Sequence, residues 1–226
     1  MNTHNVLRLA VVLAGFAAVS PAMATSVTLG NPANPATGTS LPFGSNQADW
    51  GGEYQQAYDR TAFGTAPVLL DAISFSTFQI AGQSASVAAG TYTISLASTA
   101  DFLNLSNTLA SNLNNDKTVV FSGVLPMLSN GVLAINFTHA FLFNPSANND
   151  LVLDIVSTDA AAAAPLYFDL TTGAGPAGVV TARVDPLIGY GDQTGLVTAF
   201  DVPEPSSMIV LASSLLGLGF ARRRRT

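Results

Sequence analysis

Val132-Leu-Ala-Ile-Asn-Phe-Thr-His-Ala-Phe-Leu-Phe143 decides the fold. Leu133, Ile135 and Phe137 fall on every second residue, with Ala134 and Asn136 between them. A strand repeats its side-chain direction every two residues, so this spacing turns one face to a core and the other to water. The same pattern recurs on both sides of it. Residues 91–97 alternate as Tyr92, Ile94 and Leu96, and residues 118–125 carry Val119 and Phe121 on one face. Residues 68–80 contain Ile73-Ser-Phe75-Ser-Thr-Phe78. Residues 151–156 are nearly all apolar, which suits a central strand. Residues 27–29, 166–170, 179–184 and 197–202 complete the set, and Gly, Asn and Pro separate its members.

An alternating strand needs a second layer over its apolar face. The expected fold is therefore all-β, an antiparallel, jelly-roll-like β-sandwich over residues 25–201. One stretch departs from period two. Phe102, Leu105, Leu109 and Leu113 stand at helical spacing, and Asp101 is placed to cap them. This predicts one short helix or helical turn over residues 100–113, packed across an end of the sandwich. Residues 25–43 read as a strand followed by an extended loop. Five alanines at 160–164 precede Pro165 and read as a helical turn or a loop, not as a domain boundary.

Composition narrows the function. The chain is 226 residues long, 48% hydrophobic and only 10% charged, against about 25% charged in an average soluble domain. Ser, Thr, Asn and Gln supply the polarity, as on the solvated strand faces of β-rich extracellular domains. Residues 25–202 hold three bases, Arg60, Lys117 and Arg183, against thirteen acids, a net charge of −10. A phosphate backbone would be repelled, so no nucleic-acid partner is expected. There is no cysteine, which removes disulfides, thiolate metal sites and a Cys nucleophile.

Both ends read as targeting segments. Arg8 and the amino terminus start a weakly positive leader, and residues 6–19 are almost wholly apolar. Pro21 breaks that run, and Ala22 and Ala24 place small residues at the recognition positions. Residues 1–24 are thus expected to be a signal peptide cut after Ala24, the alternative being an uncleaved anchor. At the other end Pro203, Glu204 and Pro205 precede an apolar segment from 208 to 221 and then Arg222, Arg223, Arg224 and Arg225. The prolines keep the chain extended, and Ser206 or Ser207 can cap the helix that follows. The apolar segment is a little shorter than the ~20 residues of a full span. The arginines remain cytoplasmic by the positive-inside rule, which leaves residues 25–201 outside the membrane.

This tail, residues 202–226, resembles the PEP-CTERM sorting signal, with Pro203-Glu204-Pro205 as motif, residues 208–220 as transmembrane helix and Arg222 to Arg225 as membrane stop. The resemblance implies that a membrane protease, exosortase, recognises the tail and cuts near the motif. It also implies a link to the exopolysaccharide or biofilm matrix of Gram-negative bacteria. A permanent C-terminal anchor is the alternative. Gly51-Gly-Glu-Tyr54-Gln-Gln-Ala-Tyr58, Gly90-Thr-Tyr-Thr-Ile-Ser-Leu96 and Val120-Phe-Ser-Gly123 resemble segments of other PEP-CTERM-bearing proteins, whose function is unassigned. These are strand-and-turn patterns and carry no site motif.

Few residues offer chemistry. His139 is the only histidine after the leader, there is no Gly-x-Ser-x-Gly turn, and zinc wants several His or Cys ligands. His139 reads as a strand residue, and no catalytic residue or resident metal is expected. Trp50, Glu53, Tyr54 and Tyr58 form a candidate glycan-binding cluster, with rings to stack on a sugar and an acid to accept from its hydroxyls. A glycan hydrolase would need two carboxyls spaced across the sugar, with Glu53 as one of them. The competing reading packs Trp50 and Tyr54 over an edge of the sandwich. Asn148-Asn149-Asp150, Asn114-Asn115-Asp116 and Gly189-Tyr-Gly-Asp192 are oxygen-rich enough for calcium but lack EF-hand spacing, and these are also ordinary turn residues. The expectation is a non-enzymatic envelope or matrix protein. It passes the export machinery, is held transiently at the cytoplasmic membrane and then reaches the cell surface or matrix, with exosortase and exopolysaccharide as partners.

Overall fold

Period-two segments become strands where one face finds a core. The computed structural model describes residues 25–30, 37–78, 86–100, 103, 105–147, 149–172, 181–185, 190–192 and 194–203. In chain order the strands are β1 (Thr25–Leu29), β2 (Thr37–Thr39), β3 (Glu53–Tyr58), β4 (Val68–Ser76), β5 (Thr91–Thr99), β6 (Thr118–Val124) and β7 (Val132–Phe143). They continue as β8 (Asp150–Val156), β9 (Phe168–Thr172), β10 (Thr181–Asp185), β11 (Tyr190–Asp192), β12 (Thr194–Leu196) and β13 (Thr198–Val202). One sheet has the order β1-β13-β4-β7, a second β11-β10-β3-β8-β5-β6 and a small third β12-β9-β2. Within the two larger sheets, β1-β13-β4-β7 and β3-β8-β5-β6 follow the strand order of a jelly roll.

Inward residues of both large sheets share one hydrophobic core, including Ile73, Leu133 and Phe200 from the first and Tyr54, Ile94 and Leu153 from the second. Phe43 joins them, its ring 5.0 Å from Phe75, 5.9 Å from Tyr92 and 5.7 Å from Phe168. Each such side chain contributes about 1.5–3 kcal/mol when fully buried. β7 behaves as its alternation requires. Leu133, Ile135, Phe141 and Phe143 are buried, and Ala134, Asn136 and Leu142 are exposed. Its register against β4 shifts between Leu70, which pairs with Phe141, and Ala72, which pairs with Asn136. The extra residues let Thr138 donate through Oγ1 to Val120 O at 3.0 Å, joining β7 to β6 of the other sheet. β8 lies between β3 and β5, buried along nearly its whole length, as its apolar run predicts.

Several expectations are corrected. Val119 is exposed and Val120 is the buried residue of β6, because the register shifts there: Ile94 pairs with Phe121 but Ser95 with Val119, so Val120 is extra. The short helix or helical turn expected over residues 100–113 is, among the described residues, a turn: one 3-10 turn at Leu109–Asn112 with Thr108 at its N-cap, and it lies on a sheet face and not across an end. Leu105 and Leu109 are buried, but against Ala57, Ala97 and Val152 on the outer face of the second sheet. Of the two readings of the alanine run, helical turn or loop, the loop holds, with Ala161 in an isolated bridge to Ala89. Tyr190–Asp192 is a strand paired with β10 and not a loop. The leader and the apolar tail lie outside the described residues. Among the described residues no helix is long and apolar enough to cross a membrane. Ser26–Val202 form one compact unit.

Candidate functional site

The candidate glycan cluster depends on β3, and β3 divides it. Gly52 opens the strand with φ of +87°, and a Cβ there would sit 2.7 Å from Ser157 O, so the turn requires glycine. From Glu53 onward successive side chains alternate. Tyr54, Gln56 and Tyr58 lie opposite Ile155, Leu153 and Leu151 on the core side. Glu53, Gln55 and Ala57 lie opposite Val156, Asp154 and Val152 on the other. Trp50, Tyr54 and Tyr58 are each 1% exposed or less. Their ring faces are taken up by packing and none can stack on a sugar, which corrects the expectation that they act with Glu53. The competing reading, in which Trp50 and Tyr54 pack, describes where they sit. Trp50 Nε1 has no hydrogen-bond partner among the described residues.

The inner face of β3 carries a neutral network. Gln56 Nε2 donates to Leu196 O at 2.9 Å and Leu196 N donates to Gln56 Oε1 at 2.7 Å. The side-chain amide thus pairs with Leu196 as a backbone amide would. Tyr54 OH donates to Gln56 Oε1 at 2.7 Å. Gln56 Nε2 reaches Tyr58 OH at 3.0 Å, and Thr198 Oγ1, 3.0 Å from that hydroxyl, donates to Leu196 O at 2.9 Å. Burial pushes the Tyr58 phenol well above its ordinary range. This network ties β3 to β12 and β13, the last strands before the C-terminal tail.

The outer face carries charge. Asp154, fully buried, accepts from Gln55 Nε2 at 2.9 Å and from Lys117 Nζ at 2.8 Å. Gln55 also donates to Leu109 O at 3.2 Å and accepts from Asn112 Nδ2 at 2.8 Å. Glu53 is half-buried on this face. Burial first, and then the neighbouring Asp154 carboxylate, push its carboxyl above the usual range, while Lys117 pulls it back. Asp150, two pleats from Asp154, takes Arg60 at 3.4 Å. Arg60 and Lys117 therefore both serve acids of β8. Asp154 was the overlooked signal: a carboxylate inside the apolar run 151–156 of a central strand requires a cation, and Lys117 is the cation that answers.

Chemically the arrangement can share a proton and hold a neighbouring segment. It does not resemble a glycosidase pair, since both oxygens of Asp154 are occupied by Gln55 and Lys117. His139 is exposed on β7 with Nδ1 3.2 Å from Thr138 Oγ1. The oxygen-rich turns are engaged as turns: Asn114 Nδ2 donates to Ser98 Oγ at 2.9 Å, and Asp116 Oδ1 accepts from Ser98 N at 2.9 Å. Asn148 and Gly189 lie outside the described residues. Among the described residues no group of three or more His, Cys, Asp or Glu side chains is placed to hold a metal ion.

In the sequence the sorting signal follows β13, the last strand that the inner network holds. Residues 201–225 match the family model of the PEP-CTERM protein-sorting motif. The chain carries a PEP-CTERM protein-sorting motif. The PEP-CTERM match begins inside β13, so the motif follows the last strand without a linker. It implies export and processing by exosortase, a membrane protease. Pro203 is the last described residue, and Glu204, Pro205 and Arg222 to Arg225 lie outside the described residues, as do Ala22 and Ala24 of the leader. A comparison with curated proteins finds no match.

Proposed function

We propose that residues 25–201 form a non-enzymatic structural or adhesive module of the bacterial envelope or exopolysaccharide matrix, delivered by a cleaved leader and a PEP-CTERM tail. The observation that carries this reading is the sorting motif at 201–225, joined directly to the final strand of a folded β domain. The acidic balance of residues 25–202 supports it, since a strongly anionic, hydroxyl-rich surface stays hydrated within a polymer matrix. So does the burial of Trp50, Tyr54 and Tyr58, which leaves that cluster no ring platform for a specific sugar. Fractionation of cells with and without an active exosortase tests the proposal. Protein in the surface or matrix fraction of the first and in the membrane fraction of the second is expected. The same distribution in both would overturn it. Replacing Pro203, Glu204 and Pro205 together by alanine should reproduce the exosortase-deficient pattern.

A further inference from the structure

The first sheet does not end level. β4 and β7 stay paired as far as Val68 and Phe143, whereas the register of β13 against β4 stops at Asp201 opposite Ala72. β13 runs antiparallel to β4 and ends at Val202. Continued in that direction, a strand would pass Asp71 and then Leu70, Leu69 and Val68. Among the described residues no strand pairs with this overhang on the β13 side. On its other side Leu70, Leu69 and Val68 pair with Phe141, Leu142 and Phe143, so the overhang is a formed strand with an edge to offer. The residues next in the chain are Pro203, Glu204 and Pro205.

Backbone parity decides what those residues can do at such an edge. In an antiparallel ladder successive residues turn their N–H and C=O to opposite neighbours. Thr77, one residue past the end of β4, donates its N–H to Gly131 O at 2.8 Å, in the same register as Ser76 opposite Val132. Thr77, Phe75 and Ile73 therefore face β7, and Ser74 and Ala72 face β13. Their partners Ala199 and Asp201 face β4 in turn. Counted on by twos, positions 203 and 205 fall on the β4 side as well. Both are proline, which has no N–H to donate.

We infer that Pro203 and Pro205 are a strand stop: by withholding both donors from the β4 edge they keep the sorting motif out of the sheet and leave it for the protease. The inference rests on the PEP-CTERM reading and concerns how that motif is presented. An extended peptide is bound by adding its backbone as a strand to its partner, and a motif already paired along β4 would have those groups engaged. Sheets exclude proline from paired positions for the same reason. The register shift at Asp71 is the competing cause of the stop, since a bulge also interrupts pairing.

Residue-resolved hydrogen exchange on the full chain in detergent micelles separates the two causes. In Pro203→Val/Pro205→Val, valine restores both donors and favours a strand. By alternation at least one amide among Val68, Leu69 and Leu70 faces away from β7. That amide should exchange roughly tenfold more slowly in the double variant, while Leu133 and Ile135 of β7 keep their protection and report an intact fold. Glu204→Gln, which keeps both prolines, should leave the edge as it is in the unsubstituted chain. In exosortase-bearing cells the double variant should be cut several-fold more slowly. No slowing of exchange in the double variant would assign the stop to the Asp71 shift and overturn the inference. So would an overhang in the unsubstituted chain as protected throughout as Ile135, or a double variant cut at the original rate. The exchange measurement needs no exosortase, so its failure is distinct from failure of the sorting reading, which the intact mass of the unsubstituted chain tests.

Discussion

Gln55 and Gln56 are the same side chain one residue apart, yet they meet different physics. Gln56 points into the core and completes a neutral network with Leu196, Tyr58 and Thr198. Gln55 points outward and joins a network that contains a buried carboxylate and an ammonium with 40% of its side chain exposed. The first network holds strands together and has no titrating member near neutral pH, since the Tyr58 phenol is displaced upward. The second holds the segment Leu105–Lys117 as a strap over the outer face and has Glu53 beside it, whose carboxyl is pushed above the usual range by burial first. Parity along β3 makes this separation and turns Tyr54 and Tyr58 into the core, where Trp50 of the preceding turn is buried as well.

Substitutions that separate the two faces should differ in size. The largest effect belongs to the core side. Trp50→Ala should cost about 3–5 kcal/mol in urea unfolding, whereas Trp50→Phe should cost under ~1.5 kcal/mol, because it keeps most of the packing and removes an N–H that finds no partner among the described residues. Equal losses in the two variants would show that Nε1 is bonded. Gln56→Leu comes next, at about 2–4 kcal/mol, because it strands Leu196 N–H inside the core. Gln55→Leu should cost less, about 1–2 kcal/mol, since water can reach the margin of the strap. A Gln55→Leu loss as large as that of Gln56→Leu would erase the contrast between the faces.

The smallest change is expected at Glu53, with the opposite sign. Its raised carboxyl favours the folded state below 4.5 and stops doing so as pH rises through its folded value. Glu53→Gln should therefore stabilise the protein at pH 7 and have little effect at pH 4, read as paired thermal melts. Destabilisation at pH 7 would mean that Glu53 serves Lys117 more than it opposes Asp154. Tryptophan fluorescence gives a further check on the same division. Trp50 is the sole tryptophan, and its burial predicts that oligosaccharide titration leaves its emission unchanged.

Much of this architecture can be read from residues. The alternation in β5 and β7 and the apolar run of β8 follow from period two, which survives wherever a strand has one or two dry faces. β3 escaped that reading because Gln55 and Gln56 look like loop polarity, and only the structure shows each satisfied on its own side. Leu105, Leu109 and Leu113 keep helical spacing, yet among the described residues only one 3-10 turn, Leu109–Asn112, forms there, and Asn112 and Gln55 hold the rest of the segment. Val120 was misplaced because a one-residue bulge reverses parity without any mark in composition. Tyr54 and Tyr58 part from Glu53 by plain alternation: proximity in sequence says little in a strand, where neighbours turn to opposite faces.

Sorting is the central claim, and intact mass measures it most directly. Protein recovered from the cell surface and medium of an exosortase-bearing host should lack residues 1–24 and the residues beyond about Pro205, with β13 whole. A mass that retains Arg222 to Arg225 would contradict the account and mark the chain as permanently membrane-anchored.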